Sequence, residues 1–250
     1  MNRLEGRVAI VSGAGGGIGS AICHRFAQEG AAVVCVDINA ETVEVTATGL
    51  TDSGARAFAL AADVAEEATA ETAVLTACEA FGGLDILVNN AVYDIPYAPL
   101  TEISLDDWRR TMDVNLNSAF LMSKHAIPAM AERGGGNIIH IASQLGRTAR
   151  PGRPWYCAQK AALINLARAM ALDHAVQNIR VNSLSPGPVG TGRYLANFPS
   201  SEAAQATSNT LLDRLGEPDE VAAGAVFLAS DDASFMTGSD LLIDGGYTVP

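Results

Sequence analysis

The sequence predicts a single α/β domain in which a seven-stranded, doubly wound parallel sheet carries helices on both faces. Three observations predict it. Short β-branched runs alternate with longer stretches whose apolar residues recur at spacings of three and four. Most of the short runs are apolar without interruption, as strands buried on both faces of a parallel sheet must be. The chain has 250 residues with no linker, repeat or low-complexity tract to divide it, a length that suits one α/β domain.

The strand candidates, in order, are residues 8–12, 32–37, 55–61, 84–89, 137–143, 179–185 and 240–244. Helical spacing marks 19–29, 66–81, 105–131, 154–175 and 219–230 between them. Strand, helix and strand repeated in this way imply right-handed crossovers. Ligands of such a sheet bind beyond the carboxyl ends of its strands. Six of the seven strand ends carry unusual chemistry there: 13–19, Asp37, Asp63, Asn89 with Asn90, Ser143, and Pro186 with Gly187.

Composition excludes several classes. With 16 basic against 28 acidic residues the formal charge is −12, which repels nucleic-acid backbones and anionic membranes as partners. No run of about 20 uncharged apolar residues offers a transmembrane helix, and the first residues lack the pattern of a signal peptide. Cys23, Cys35, Cys78 and Cys157 form no CxxC pair and the four histidines are scattered, so no disulfide frame and no metal site are expected. These features point to a cytoplasmic protein.

The first strand candidate runs through Gly13, Gly15, Gly16, Gly17, Ile18 and Gly19 straight into a helix. A phosphate approaches backbone closely only where side chains are absent, and a helix N-terminus offers free N–H donors. G-x-G-x-x-G fails because position 18 is Ile18, whereas G-x-x-x-G-x-G fits Gly13, Gly17 and Gly19. Asp37 ends the second strand; a carboxylate there accepts hydrogen bonds from both ribose hydroxyls and repels a 2′-phosphate. Neither the glycine loop nor residues 37–42 contain Arg or Lys, so NAD is expected rather than NADP.

Tyr156 and Lys160 lie four apart, on one face of a helix. A phenol is a weak acid–base catalyst at neutral pH, and a nearby ammonium favours its phenolate. Ser143, at a strand tip, adds a hydroxyl able to hold a substrate oxygen.

With the glycine loop, Asp63-Val64, Asn89-Asn90-Ala91, Asn115, Ser143, Tyr156 with Lys160, the run from Pro186 to Thr191, and Asp244-Gly245-Gly246, the chain resembles the single-domain branch of the short-chain dehydrogenase/reductase family, a Rossmann-like fold. The resemblance implies that Ser143 orients the substrate oxygen, Tyr156 exchanges the proton, Lys160 holds the nicotinamide ribose and favours the phenolate, and Asn115 holds a relay water. It places Gly13, Gly16, Gly17, Ile18, Gly19, Asp37 and Ile38 on the nucleotide. Asp63 and Val64 would flank the adenine, Asn90 and Ala91 the adenosine ribose, and Pro186, Gly187, Val189 and Thr191 the nicotinamide. Two positions depart from the family pattern: Val92 replaces a glycine facing the active site, and Gln159 replaces the usual serine, where it is expected to touch cofactor or a neighbouring subunit. The resemblance also implies a homotetramer, with the helices from Leu105 and Pro154 paired across one twofold axis and the segment near Tyr247 across another.

Substrate contacts are expected from residues 92–99, 144–155 and 192–212. Arg147, Arg150, Arg153 and Arg193 lie in these loops, and Arg153, with Arg147 or Arg193, is expected to clamp an anionic substrate group beside Gln144. Tyr93, Tyr97 and Trp155 are candidates to line the pocket. Three functions compete. The first is an NAD-dependent dehydrogenase of a secondary alcohol (a polyol, sugar or hydroxy acid) and the second a 3-oxoacyl thioester reductase. The third is a nucleotide-binding protein without catalysis, which the complete set of Asn115, Ser143, Tyr156 and Lys160 argues against.

Overall fold

The computed structural model describes residues 2–249. Seven strands, β1 Val8–Ser12, β2 Ala32–Asp37, β3 Ala57–Ala61, β4 Ile86–Asn89, β5 Gly136–Ile141, β6 Ile179–Pro186 and β7 Asp240–Ile243, form one sheet in the order β3-β2-β1-β4-β5-β6-β7. Every pairing is parallel. The direction of winding reverses between β1 and β4, which opens a crevice at their carboxyl ends.

Alternation along the strands decides which layer each side chain joins. Ala9 and Val11 of β1 pack with Phe26 of α1 (Gly17–Gln28), Leu50 of α2 (Ala40–Asp52) and Val221 of α9 (Pro218–Ala229). Val8 and Ile10 pack on the other face with Ala73 of α3 (Glu67–Phe81), Met122 of α5 (Ser118–Glu132) and Ala167 of α6 (Pro154–His174). Each buried Val, Ile or Leu contributes about 1.5–3 kcal/mol, so this alternation fixes the register more strongly than strand propensity does.

Two helical assignments need correction. Residues 40–52, which lie outside the helices expected from the sequence, form α2, with Val43, Thr46, Ala47 and Leu50 buried on one face and the Asn39 side chain accepting from Thr42 N at 3.1 Å. The helix expected over 105–131 is broken: α4 (Leu105–Met112) passes into a single π turn, Asp113–Asn117, before α5 begins. The extra residue in that turn rotates Asn115 inward without ending the helical run. Short helices α7 (Gly192–Leu195) and α8 (Ser201–Ala206) follow β6, and Gly192, Arg193 and Tyr194 of α7 line the crevice. No helix among the described residues is long and apolar enough to cross a membrane.

Candidate active site

A cavity of about 410 Å³ runs along the carboxyl ends of the strands, from Asp37 at one end to Arg150 and Tyr194 at the other. At the Asp37 end the backbone leaves room for a nucleotide. Gly13 has φ +67°, and a Cβ at Gly19 would strike the Gly13 carbonyl, so the β1–α1 turn closes this tightly only with glycine. Asn90 Nδ2 donates to Ser12 O at 2.9 Å and Gly13 O at 3.1 Å, fixing the turn from below. Asp37 Oδ2 accepts from Gly15 N at 2.8 Å and Oδ1 from Asn39 N at 3.0 Å, which aims the carboxylate into the cavity and leaves lone pairs for ribose hydroxyls.

Gly13, Gly16, Gly17, Ile18, Asp37, Asn90, Pro186, Gly187, Val189 and Thr191 all line this cavity. Gly19 and Ala91 stand behind the lining; Ile38 is exposed beside Asp37; Asp63 and Val64 lie outside it. The Asp63 carboxylate pairs with Arg110 at 2.6 Å, an ion pair that sequence spacing could not show.

Ser143, Tyr156 and Lys160 converge on the middle of the cavity. Pro154 at the first helical position starts α6, and the four-residue spacing stacks Tyr156 and Lys160, whose Nζ lies 5.5 Å from the phenol ring centroid. Lys160 Nζ donates to Ile141 O at 2.6 Å. Burial, with Arg193 as a second cause, pushes the Lys160 ammonium down to about 7. Burial, and then the Lys160 charge, push His140 down to about 4, so this fully buried ring is neutral. Ser143 Oγ donates to Gln144 Oε1 at 2.7 Å and accepts from Leu145 N at 3.1 Å. A substrate oxygen at Ser143 therefore competes with the Gln144 side chain.

Asn115 lies behind these groups and does not line the cavity. Its Oδ1 accepts from Tyr93 N at 2.6 Å, and its Nδ2 donates to Tyr93 O at 3.0 Å and to Gln159 Oε1 at 2.9 Å. Gln159 Nε2 donates in turn to Thr111 Oγ1 at 3.0 Å. Gln159 is buried, so it reaches neither the cavity nor the molecular surface; it braces Asn115, contrary to the sequence expectation. Val92 does line the cavity.

The arginine expectation changes most. Arg147 is not at the mouth: its Nε is bound to Asp240 Oδ2 at 2.6 Å, outside the lining. Arg153 is buried and already holds a carboxylate, its Nη1 donating to Asp94 Oδ1 at 2.7 Å, while Arg193 donates to Asp94 Oδ2 at 2.9 Å. Burial pulls the Arg153 guanidinium down, but Asp94, Tyr97 and Tyr156 outweigh it and hold the charge. Asp94 was missed in the sequence because nothing in a loop of mixed composition marks it as the counter-charge of arginines 59 and 99 residues away. Of the aromatic candidates only Tyr97 lines the cavity. Tyr93 lies under Arg110, and Trp155 is fully buried edge-on to Tyr156 at 5.4 Å, supporting that ring. Glu67, Glu71 and His125 cluster on the surface away from this site, with Glu67 paired to both Lys124 and His125.

Comparison with known proteins agrees with this geometry. The family model adh_short_C2, described as enoyl-(acyl carrier protein) reductase, matches residues 13–248. The 2,5-dichloro-2,5-cyclohexadiene-1,4-diol dehydrogenase LinX of Sphingobium indicum is 40% identical over 248 residues, spanning 99% of this chain and 98% of that protein. The D-threitol dehydrogenase of Mycolicibacterium smegmatis is 40% identical over 249 residues, spanning 99% of this chain and 95% of that protein. Among solved structures, a 7α-hydroxysteroid dehydrogenase complexed with NADH and 7-oxo glycochenodeoxycholic acid matches with a TM-score of 0.92 at 36% identity, over 98% of this chain and 95% of that one. With the glycine turn, the Ser143, Tyr156 and Lys160 cluster and matches along nearly its whole length, the chain belongs to the short-chain dehydrogenase/reductase family.

Proposed function

We propose that this protein is an NAD-dependent dehydrogenase of a secondary alcohol, with Tyr156 as its acid–base group. The observation that carries the reading is one cavity with Ser143, Tyr156 and Lys160 at its middle and an Asp37 carboxylate at its end. The named relatives are dehydrogenases of a diol and of a sugar alcohol, and the matched solved structure is complexed with NADH.

The residues present fit a nicotinamide dinucleotide: the turn that glycine keeps open admits the pyrophosphate, Asp37 holds the adenosine ribose, Lys160 the nicotinamide ribose, and Pro186 to Thr191 wall the nicotinamide. When bound, that group supplies the hydride acceptor. The chain's own part is to orient and deprotonate. Ser143 turns its hydroxyl from Gln144 to the substrate oxygen, and Tyr156 takes the hydroxyl proton. The buried Lys160 ammonium beside the phenol ring favours the phenolate that accepts it. Both amide atoms of Asn115 are committed to Tyr93 and Gln159, so any relay water belongs to main-chain carbonyls of the π turn, where the regular ladder is interrupted.

The second reading is reduction of a 3-oxoacyl thioester; the description of the family model, an enoyl-(acyl carrier protein) reductase, concerns a C=C bond and supports only the acyl-thioester class of substrate. Against it stand Asp37 and the absence of Arg and Lys from 13–19 and 37–42, since such reductions draw on a 2′-phosphorylated cofactor. The test follows NADH formation from NAD, or NADPH formation from NADP, across polyols, sugars and hydroxy acids, beside 3-oxoacyl thioesters with NADPH. Oxidation of a secondary alcohol with NAD, reduced about 10²–10⁴-fold in Tyr156→Phe while NADH still binds, is the expected result. Retention of more than about a tenth of kcat in that variant removes Tyr156 from the acid–base role.

A further inference from the structure

The cavity end beyond Tyr156 holds more positive charge than it neutralises. Arg150, Arg153 and Arg193 all line it, with a single carboxylate, Asp94, among them. That carboxylate is used up, one oxygen on Arg153 and the other on Arg193. Arg150 has no ion-pair partner among the described residues; it lies half-buried over the Tyr97 ring, 5.6 Å from its centroid. Next to it stands Tyr194, whose hydroxyl is buried without a hydrogen-bond partner. Burial pushes that phenol up, and donors on Arg150 and then Thr207 directed at its oxygen act against this, so the group the hydroxyl lacks is an acceptor for its proton. A half-buried cation beside an unsatisfied donor is costly unless an oxyanion completes it.

We propose that Arg150, and not Arg153, is the specificity residue for substrate charge: the substrate is a hydroxy acid whose carboxylate is bound by the Arg150 guanidinium and accepts from the Tyr194 hydroxyl. Arg153 is a positioning residue, held by Asp94 and packed 4.1 Å from the Tyr97 centroid and 5.3 Å from that of Tyr156. The contacts run in series from Arg150 to the Tyr97 ring, from Tyr97 to Arg153 and from Arg153 to the Tyr156 phenol. The carboxylate therefore sits several bonds from the carbinol carbon, as in a hydroxy acid built on a six-membered ring, and not beside it as in a 2-hydroxy acid. Arg150 lies 5.6 Å from the Tyr97 centroid, and a guanidinium presents a planar fork able to meet a carboxylate bidentately. This inference rests on the dehydrogenase reading of the same site.

The test separates the two. Calorimetry on the protein saturated with NADH uses cyclohexanecarboxylate as probe and cyclohexanecarboxamide as its neutral match; neither has a hydroxyl to react, so turnover does not enter. Wild type is expected to bind the carboxylate at least tenfold more tightly than the amide. Arg150→Gln should lose that preference, Arg150→Lys should keep part of it, and Tyr194→Phe should weaken the carboxylate alone. With 4-hydroxycyclohexanecarboxylate as substrate, Arg150→Gln should raise KM at least tenfold with kcat little changed. Equal binding of the two probes by wild type, or an Arg150→Gln effect equal on both, overturns the proposal even if neutral alcohols are oxidised with NAD. Carboxylate binding through Arg150 without any alcohol oxidation would overturn the dehydrogenase reading and with it the hydroxy-acid substrate, leaving Arg150 and Tyr194 as an anion site alone.

Discussion

Replacing Asp94 with alanine should destabilise the protein markedly. The Arg153 side chain is only 7% exposed and that of Asp94 17%, so the variant leaves a guanidinium nearly out of water with its carboxylate gone. Arg153 Nε already lacks a partner, which removes one way to compensate. Breaking a buried pair from one side costs about 3–5 kcal/mol. Stacking on Tyr97 and cavity water soften this, and Arg193, 43% exposed, adds little, which points to the lower end, about 3 kcal/mol. For a domain of this size about 1 kcal/mol moves Tm by about 2–4 °C, giving a fall of about 6–12 °C. Calorimetric melts of Asp94→Ala, Arg153→Met and the double variant form the assay. The double variant should recover most of the loss, because it buries no charge. A Tm for Asp94→Ala within about 1 °C of wild type, or simple additivity in the double variant, would refute the reasoning.

Wild type should prefer NAD over NADP at least about tenfold in kcat/KM, and Asp37→Ala should shift that ratio toward NADP by about tenfold, one such factor per 1.4 kcal/mol of repulsion removed; equal use of both by wild type contradicts the role of Asp37. Lys160 binds its proton more weakly in the fold than in the unfolded chain, because burial first, and Arg193 second, oppose its charge beside Tyr156 and neutral His140. Its folded pKa of about 7 lies below the ordinary 10.5, so between those values the unfolded chain holds the extra proton and stability gains with rising pH. Urea unfolding of nucleotide-free wild type against Lys160→Met should show the variant's advantage shrinking from pH 7 to pH 10; a pH-independent difference contradicts the burial argument. Light scattering at micromolar concentration should give a homotetramer, consistent with apolar Phe120, Leu172, Val176 and Phe235 standing exposed on one chain; a monomer refutes it.

The sheet was legible because parallel strands buried on both faces write themselves as apolar runs, and the motifs were legible because chemistry collects at strand ends. The helix over 40–52 escaped because Thr42, Val43, Val45, Thr46, Thr48, Gly49 and Thr51 are weak helix formers. Its spacing of Val43, Thr46, Ala47 and Leu50 and its Asn39 cap were the signals to follow. The π turn at Asp113–Asn117 was illegible for another reason, since inserting one residue leaves the apolar spacing on either side intact. The side-chain partners were out of reach. Gln159 meets Asn115 across 44 residues and Arg110 meets Asp63 across 47, and no local pattern encodes such pairs.

What remains is how a chain of charge −12 treats two ligands in one cavity. Its global field slows anions at a distance, so recognition of a phosphate or carboxylate must be local and desolvated. The cavity is built that way. At one end Asp37, its two oxygens oriented by Gly15 and Asn39, offers acceptors to hydroxyl groups. At the other, Arg153 and Arg193 share the one carboxylate, Asp94, and Arg150 is left to offer donors. A ligand set with hydroxyls at both ends would leave Arg150 uncompensated, and one with anions at both ends would meet Asp37. On the proposed reading, the two ends favour a ribose without 2′-phosphate at the first and an anionic substrate at the second. Exchanging those preferences requires changing Asp37 and Arg150 together, because each acts only within its own end of the site.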